Sequence, residues 1–123
     1  MKLTGDLYKT SLALLTDLYE LTMAYGYWKT GTLNREAVFN LFFRKNPFSS
    51  GFTIACGLEY VVDFVNNFKV DESDVAYLAS LKGSDGKPLF VQEFLDFLAG
   101  MQFNCDIDAM PEGTLAFPHE PLL

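Results

Sequence analysis

Residues 14–31, LLTDLYELTMAYGYWKTG, decide the fold of this chain, because they carry its fullest set of helix signals. Apolar side chains recur along the stretch at intervals of three and four residues, which is the spacing of one face of an α-helix. The periodicity predicts a helix that packs on the core of a globular domain. Its apolar face is expected to contain Leu18, Leu21, Tyr25 and Trp28.

The two ends of this helix carry signals of their own. Thr16 or Asp17 can cap its start, and Asp17 with Glu20 has the spacing of a capping box. Lys29 suits the last turn, and Gly31 can end the helix in the left-handed conformation.

The first turn of the same helix also holds two side chains suited to binding. Asp17 and Tyr19 place a carboxylate and a phenol where backbone N–H groups are free. A core helix explains the periodicity without them, so a structural and a binding role both stay open for this turn.

The stretch EAVFNLFFRKNP, residues 36–47, predicts a β-strand that ends at Pro47, because proline cannot donate to a ladder. Both alternating faces are largely apolar, so we expect a central strand covered on both sides. One face comprises Ala37, Phe39, Leu41 and Phe43, and the other Val38, Asn40, Phe42 and Arg44.

Three further amphipathic helices are predicted after a turn at residues 48–51 and a short strand or extended entry at 52–55. Acidic residues favour the start of the second of these helices, Gly83 can cap its end, and Pro88 suits the first position of the third. The predicted bounds are 58–68, 70–82 and 88–100.

The remaining residues predict short extended pieces. NCDIDAM (104–110) and TLAF (114–117) are expected to form a hairpin across Pro-Glu-Gly and to continue into the final EPLL. The predicted fold class is therefore α+β, with amphipathic helices packed on a small mixed or antiparallel sheet. Residues 1–13 are interpreted as a lead-in and residues 14–123 as a single domain.

Composition excludes several classes of protein. Half of the 123 residues are apolar and 15% are aromatic, which excludes a disordered chain. Sixteen acidic against nine basic residues, a net charge of −7, argue against a nucleic-acid partner. No apolar run approaches the roughly 18 residues of a membrane span, and the N-terminus is not typical of a signal peptide. The twelve Phe residues suggest apolar surface intended for a partner or for further sequence.

The cysteines and the single histidine are interpreted structurally. Cys56 and Cys105 lie far apart without metal-ligand spacing, so we expect buried free thiols of a cytosolic protein. His119 lies between Pro118 and Glu120, which indicates a surface loop rather than a catalytic role.

Arg44-Lys45 is the only adjacent basic pair, at the exit of the predicted strand. Arg binds phosphate as a bidentate fork and Lys as a point charge. From the dipeptide alone, a solvated strand end or a gatekeeper against aggregation is the favoured explanation. Asp106 and Asp108 alternate on a predicted strand and could bind a metal, although a solvent-facing edge is the simpler interpretation. Neither a nucleophile elbow nor a Gly-rich phosphate loop is present.

Four stretches together resemble the N-terminal region of nicotinate phosphoribosyltransferases. They are LLTDLYELTMAYGYWKTG, AVFNLFFRKNPF, the Cys-Gly-Leu-Glu start of the helix at 58–68, and PEGTLAFPHEPLL, and they run in order from about Leu14 to Leu123. The combination of TDLYxLTM, FFRxNPF and PEGxLAFP is specific to this family.

The resemblance implies an ATP-dependent, Mg²⁺-requiring enzyme of NAD salvage that joins nicotinate to phosphoribosyl pyrophosphate, giving nicotinate mononucleotide and pyrophosphate. It implies a cytoplasmic homodimer with active sites at the subunit interface and ATP hydrolysis coupled through a phosphorylated histidine. Family members are several times longer and continue into an irregular α/β barrel. The catalytic histidine is therefore expected beyond Leu123, and His119 does not take its place.

The resemblance also implies binding roles for four residues. Tyr19 is similar to the aromatic residue that stacks on the pyridine ring of nicotinate, and Asp17 to the acid that lies beside it in the related nicotinamide-using enzymes. Arg44 resembles the residue that reaches the phosphate groups of phosphoribosyl pyrophosphate, with Lys45 a weaker candidate. No catalytic or metal-binding residue is expected in these 123 residues, so the chain alone is expected to be inactive. The alternative is a stand-alone, non-enzymatic dimerisation or interaction domain derived from the enzyme.

Overall fold

A computed structural model describes Tyr8 and residues 10–123, so most of the predicted lead-in lies outside the described residues. The described part contains four α-helices, a short 3₁₀ helix and one two-stranded sheet, and its class is α+β as predicted. In chain order the elements are α1 (Leu18–Lys29), the 3₁₀ helix (Pro47–Ser49), β1 (Thr53–Ile54), α2 (Leu58–Asn66), α3 (Glu72–Ser80), α4 (Gln92–Ala99) and β2 (Leu115–Ala116).

The core is an aromatic and aliphatic cluster to which α1, α3 and α4 all contribute. The ring of Tyr25 lies 4.9 Å from that of Phe94 and 5.6 Å from that of Phe90, and Trp28 lies 5.8 Å from Phe94. Aromatic pairs at such distances add about 0.5–1.5 kcal/mol each beyond their buried area. The predicted core-facing helix is therefore confirmed, although Leu18 stays 50% exposed. The buried residues of the cluster are Leu78, Phe90, Phe94, Leu95 and Leu98.

Helix α1 is shorter than predicted and begins without the expected capping box. Asp17 is the N-cap residue, but its side chain accepts no capping hydrogen bond. The carboxylate of Glu20 is instead engaged by the hydroxyl of Thr16. At the other end Gly31 has φ +69°, which confirms the predicted left-handed residue after the helix.

A complete capping box forms at α3. The backbone N–H of Asp74 donates to the Asp71 carboxylate at 3.0 Å, and the backbone N–H of Asp71 donates to the Asp74 carboxylate at 3.0 Å. These reciprocal bonds satisfy two donors at the helix start. They explain why α3 begins at Glu72, two residues after the predicted start.

The connection between α3 and α4 differs from the prediction. Gly83 was expected to cap α3, and Pro88 to begin α4. Instead α3 ends at Ser80, Gly83 donates its N–H to the carbonyl of Lys87 at 2.9 Å, and Pro88 forms a β-bridge with Lys82. Both predictions are wrong because residues 81–89 close a small hairpin, which delays the start of α4 to Gln92.

The sheet joins parts of the chain that the sequence did not pair. β1 and β2 are antiparallel, with Thr53 opposite Ala116 and Ile54 opposite Leu115. The predicted hairpin between 104–110 and 114–117 is wrong, since residues 104–110 form no regular element. The N–H of Gly113 donates to the carbonyl of Ala55 at 2.9 Å, which turns the Pro-Glu-Gly segment toward β1 rather than toward the preceding residues.

The predicted central strand at 36–47 is also wrong, both as a strand and in its burial. The structure assigns no strand to residues 36–47, and Val38 is 85% exposed and Phe39 is 87% exposed. Backbone bonds join Leu41 to Leu122 and Leu123, and the segment forms no regular ladder. A strand is buried only where other layers cover its faces, and the described helices pack elsewhere. Cys56 and Cys105 are free as expected, but exposed rather than buried.

Candidate functional site

The first pair of predicted site residues lies at the start of α1. Asp17 is exposed at the N-cap position, and Tyr19 is 59% exposed in the first turn. Within the described residues, no hydrogen bond, ion pair or ring contact engages either side chain. The backbone is fixed, because the Asp17 carbonyl accepts the Glu20 N–H at 3.1 Å and the Tyr19 carbonyl accepts the Thr22 hydroxyl at 2.9 Å. The helix therefore presents both side chains to solvent from a rigid start.

The second pair lies at a bend just before the 3₁₀ helix. Arg44 and Lys45 are both exposed, and in the described part of the chain neither side chain has an ion-pair or hydrogen-bond partner. The next residue, Asn46, accepts a hydrogen bond from the Thr53 hydroxyl at 3.2 Å. Two cationic side chains thus stand free beside a residue that is anchored through its side chain, which is an arrangement suited to an anion.

The loop after the cations is strained. Phe48 and Ser49 have φ values of 56° and 55°, in the left-handed region that residues other than Gly, Asn and Asp seldom adopt. The side chain of Phe48 is 100% exposed. Neither feature was predicted from the sequence, because FSSG indicates only that a turn is present.

The C-terminal segment anchors the region around the cations. The N–H of His119 donates to the carbonyl of Phe43 at 2.9 Å, directly before Arg44.

The Glu112 carboxylate accepts the N–H groups of Gly57 at 2.8 Å and Leu58 at 2.7 Å. A carboxylate at a helix N-terminus is favourable, since free N–H groups and the helix dipole both favour negative charge.

Glu112 was missed by the sequence reasoning. Its role depends on a contact across more than fifty residues of chain, which local spacing does not reveal. The signal that could have pointed to it is the Cys-Gly-Leu-Glu start of α2, where Gly57 has φ +105° and brings no capping side chain of its own.

A groove beside this anchor has a volume of about 100 Å³. Sites for small molecules usually measure roughly 300–1,000 Å³, so the groove by itself is too small to enclose a substrate. None of the four predicted site residues lines it. The groove is mostly apolar, and its lining residues include Leu41, Ala55, Cys56, Val61, Met110 and Glu112.

The structure shows no direct bond between the two predicted pairs. Among residues 10–123, no hydrogen bond or ion pair joins Asp17 or Tyr19 to Arg44 or Lys45. The binding roles of all four remain predictions.

The described residues contain neither a cluster of metal ligands nor a helix that could span a membrane. In the part of the chain that the structure describes, no three side chains of the His, Cys, Asp and Glu types come together as metal ligands. Asp106 and Asp108 are exposed in an irregular segment rather than on a strand. A membrane-spanning helix is likewise not found among the described residues, whose helices are all too short for one.

Known proteins resemble this chain over most of its length. The sequence model of the nicotinate phosphoribosyltransferase (NAPRTase) N-terminal domain matches residues 14–123. A nicotinate phosphoribosyltransferase of Caenorhabditis elegans is 48% identical over 110 residues, covering 89% of this chain and 19% of the relative. The Mycobacterium tuberculosis relative pncB2 is 48% identical over 109 residues, with 89% and 22% covered. The human relative is 42% identical over 113 residues, with 89% and 20% covered.

The chain spans about a fifth of the length of these relatives. The match includes the start of α1, the Arg44-Lys45 bend and the Pro-Glu-Gly anchor, so it covers every site residue described above. The chain belongs to the nicotinate phosphoribosyltransferase N-terminal domain family.

Proposed function

We propose that this chain supplies the N-terminal part of a nicotinate phosphoribosyltransferase. The reaction joins nicotinate to phosphoribosyl pyrophosphate, giving nicotinate mononucleotide and pyrophosphate in the cytoplasmic salvage of NAD. The observation that carries the proposal is the family match over residues 14–123, which contains both pairs of exposed, unpartnered side chains.

Each pair suits one substrate. The exposed face of the Tyr19 ring can stack on a flat pyridine ring, and Asp17 lies two residues before it at the helix start. The Arg44 guanidinium can bind phosphate oxygens as a bidentate fork, and Lys45 adds a point charge. We therefore assign nicotinate to the α1 pair and phosphoribosyl pyrophosphate to the cation pair.

The remaining parts of the proposal concern groups outside this site. ATP and Mg²⁺ are proposed for the complete enzyme, as is a homodimer whose active sites lie at the subunit interface. The described residues gather no set of metal ligands, so they do not fit a Mg²⁺ site of their own. His119 is exposed in a turn and takes no catalytic role.

A chimeric enzyme tests this function. Residues 14–123 replace the matching segment of the C. elegans relative, and formation of nicotinate mononucleotide is measured with nicotinate, phosphoribosyl pyrophosphate, ATP and Mg²⁺. We expect the chimera to be active and the relative deprived of the segment to be inactive. The unaltered relative serves as the positive control. An inactive but folded chimera would count against the proposal.

The 123-residue chain alone should show no turnover, because it spans only about a fifth of the length of its relatives and we assign no catalytic residue to it. Mononucleotide formation by the purified chain would contradict this expectation.

A second candidate is a non-enzymatic interaction domain. The specific observation in its favour is apolar exposure, since Val38, Phe39 and Phe48 are 85%, 87% and 100% exposed. This function predicts an inactive chimera together with a stable, ligand-independent dimer of the chain.

A further inference from the structure

The turn formed by residues 117–120 places histidine where glycine is the usual choice. The N–H of Glu120 donates to the carbonyl of Phe117 at 3.2 Å, and the turn positions between them are Pro118 and His119. His119 has φ 70°. Proline at the second position and positive φ at the third are the requirements of a type II turn, whose third residue is normally Gly or Asn. The backbone therefore disfavours a histidine here.

The side chain and the N–H of His119 both contact the residues that lead to the cation pair. The imidazole ring lies 5.7 Å from the ring of Phe42, with the two planes tilted by 41°. The N–H of His119 donates to the carbonyl of Phe43 at 2.9 Å. Arg44 is the next residue in the chain, so the turn holds two consecutive residues before it.

A second hydrogen bond, from a side chain, also closes this turn. The Glu120 carboxylate accepts the N–H of Phe117 at 2.8 Å, in addition to the backbone bond between the same two residues. Because two hydrogen bonds join Phe117 to Glu120, the turn between them can hold Phe42 and Phe43 in one orientation.

We propose that His119 is a positioning residue for Arg44 and Lys45. Its ring contacts Phe42 and its N–H binds the carbonyl of Phe43, so that the bend carrying the two cations keeps one orientation relative to these residues. The inference rests on the proposed function, in which these cations bind phosphoribosyl pyrophosphate. Glycine at this position would keep the N–H and suit the backbone better, so the contribution of the histidine side chain is its contact with Phe42.

The test compares His119→Gly with His119→Phe, which keeps an aromatic ring. In the 123-residue chain, His119→Gly should leave the thermal midpoint unchanged or raise it, since Gly adopts positive φ without strain. The backbone order parameter of the Arg44 amide, measured by ¹⁵N relaxation, should fall in His119→Gly and be restored in His119→Phe. A purely structural role would instead lower the thermal midpoint.

The same variants are measured in the chimeric enzyme. A ring contact of this kind corresponds to about a two- to tenfold change in an equilibrium constant. His119→Gly should therefore raise the KM for phosphoribosyl pyrophosphate by about that factor, leaving kcat and the KM for nicotinate unchanged, and His119→Phe should restore it.

The outcomes separate the inference from the function on which it rests. An unchanged Arg44 order parameter in His119→Gly, or an unchanged KM in an active chimera, overturns the positioning role and leaves the proposed function standing. An inactive chimera carrying the unaltered chain removes the proposed function. The order parameter alone then decides whether His119 positions Arg44.

Discussion

At the scale of single residues, Tyr19 offers the chain's clearest test of nicotinate binding. Its ring is exposed and its backbone lies in a fixed helical turn, so removing the ring should change binding without unfolding α1. Tyr19→Ala in the chimeric enzyme should raise the KM for nicotinate about two- to tenfold, the equivalent of one aromatic contact. Tyr27→Ala, an exposed tyrosine on the same helix, is the matched control. Equal effects of the two substitutions would remove the assignment.

Arg44 provides the corresponding test for phosphoribosyl pyrophosphate. A hydrogen bond to a charged group contributes about 1.5–3 kcal/mol, so Arg44→Ala should raise the KM for this substrate by roughly ten- to a hundredfold. Lys45→Ala should have a smaller effect, because a lysine cannot reproduce the bidentate fork. Steady-state kinetics against Arg35→Ala, another exposed arginine, would check the result. An unchanged KM in Arg44→Ala would contradict the role while leaving family membership intact.

At the scale of elements, the start of α3 predicts a pH dependence of stability. The Ser73 hydroxyl donates to the Asp71 carboxylate at 2.7 Å, and the Ser73 and Asp74 N–H groups each donate to it at 3.0 Å. These bonds, the Ser73 side chain foremost, lower the pKa of Asp71 below its ordinary value of 3.8. The folded state therefore stabilises the ionised form of the Asp71 carboxyl group.

The lowered pKa of Asp71 determines how stability changes with pH. The stabilisation from Asp71 is fully present above the unfolded pKa of 3.8 and is lost as the pH falls through the lower, folded pKa. Asp71→Asn keeps a capping side chain that does not titrate in this range. Urea unfolding between about pH 5 and pH 2 should therefore show a steeper loss of stability in the wild-type chain than in Asp71→Asn. Parallel curves would show that this cap is not linked to protonation.

At the scale of the whole molecule, the exposed apolar side chains predict self-association. A monomer seldom exposes large apolar patches, and Val38, Phe39 and Phe48 are almost fully exposed. The purified chain should bind a hydrophobic dye or form oligomers in analytical ultracentrifugation. The double variant Phe39→Lys, Phe48→Lys should lower both signals more than Tyr77→Lys, a substitution on the exposed side of α3. A monodisperse monomer that binds no dye would contradict the prediction.

The helices show how much of the fold the sequence determined by itself. Periodic apolar residues located all four described helices, because a helix repeats its environment every few residues and its signal is local. Their ends were less predictable. Pro88 and Gly83 carry strong local preferences, yet the backbone bonds of the hairpin at 81–89 took precedence over them. Family membership and the binding roles proposed for four residues likewise rest on short sequence motifs.

Only the tertiary structure decided which distant segments meet. The pairing of β1 with β2, the capping of α2 by Glu112 and the contact of His119 with Phe42 and Phe43 each join residues more than fifty positions apart. Such contacts depend on how the whole chain packs, and no local periodicity encodes them. The burial of residues 36–47 was mispredicted for the same reason. Alternating apolar residues show that both faces of a strand could be buried. Whether they are buried depends on where the helices and other strands pack.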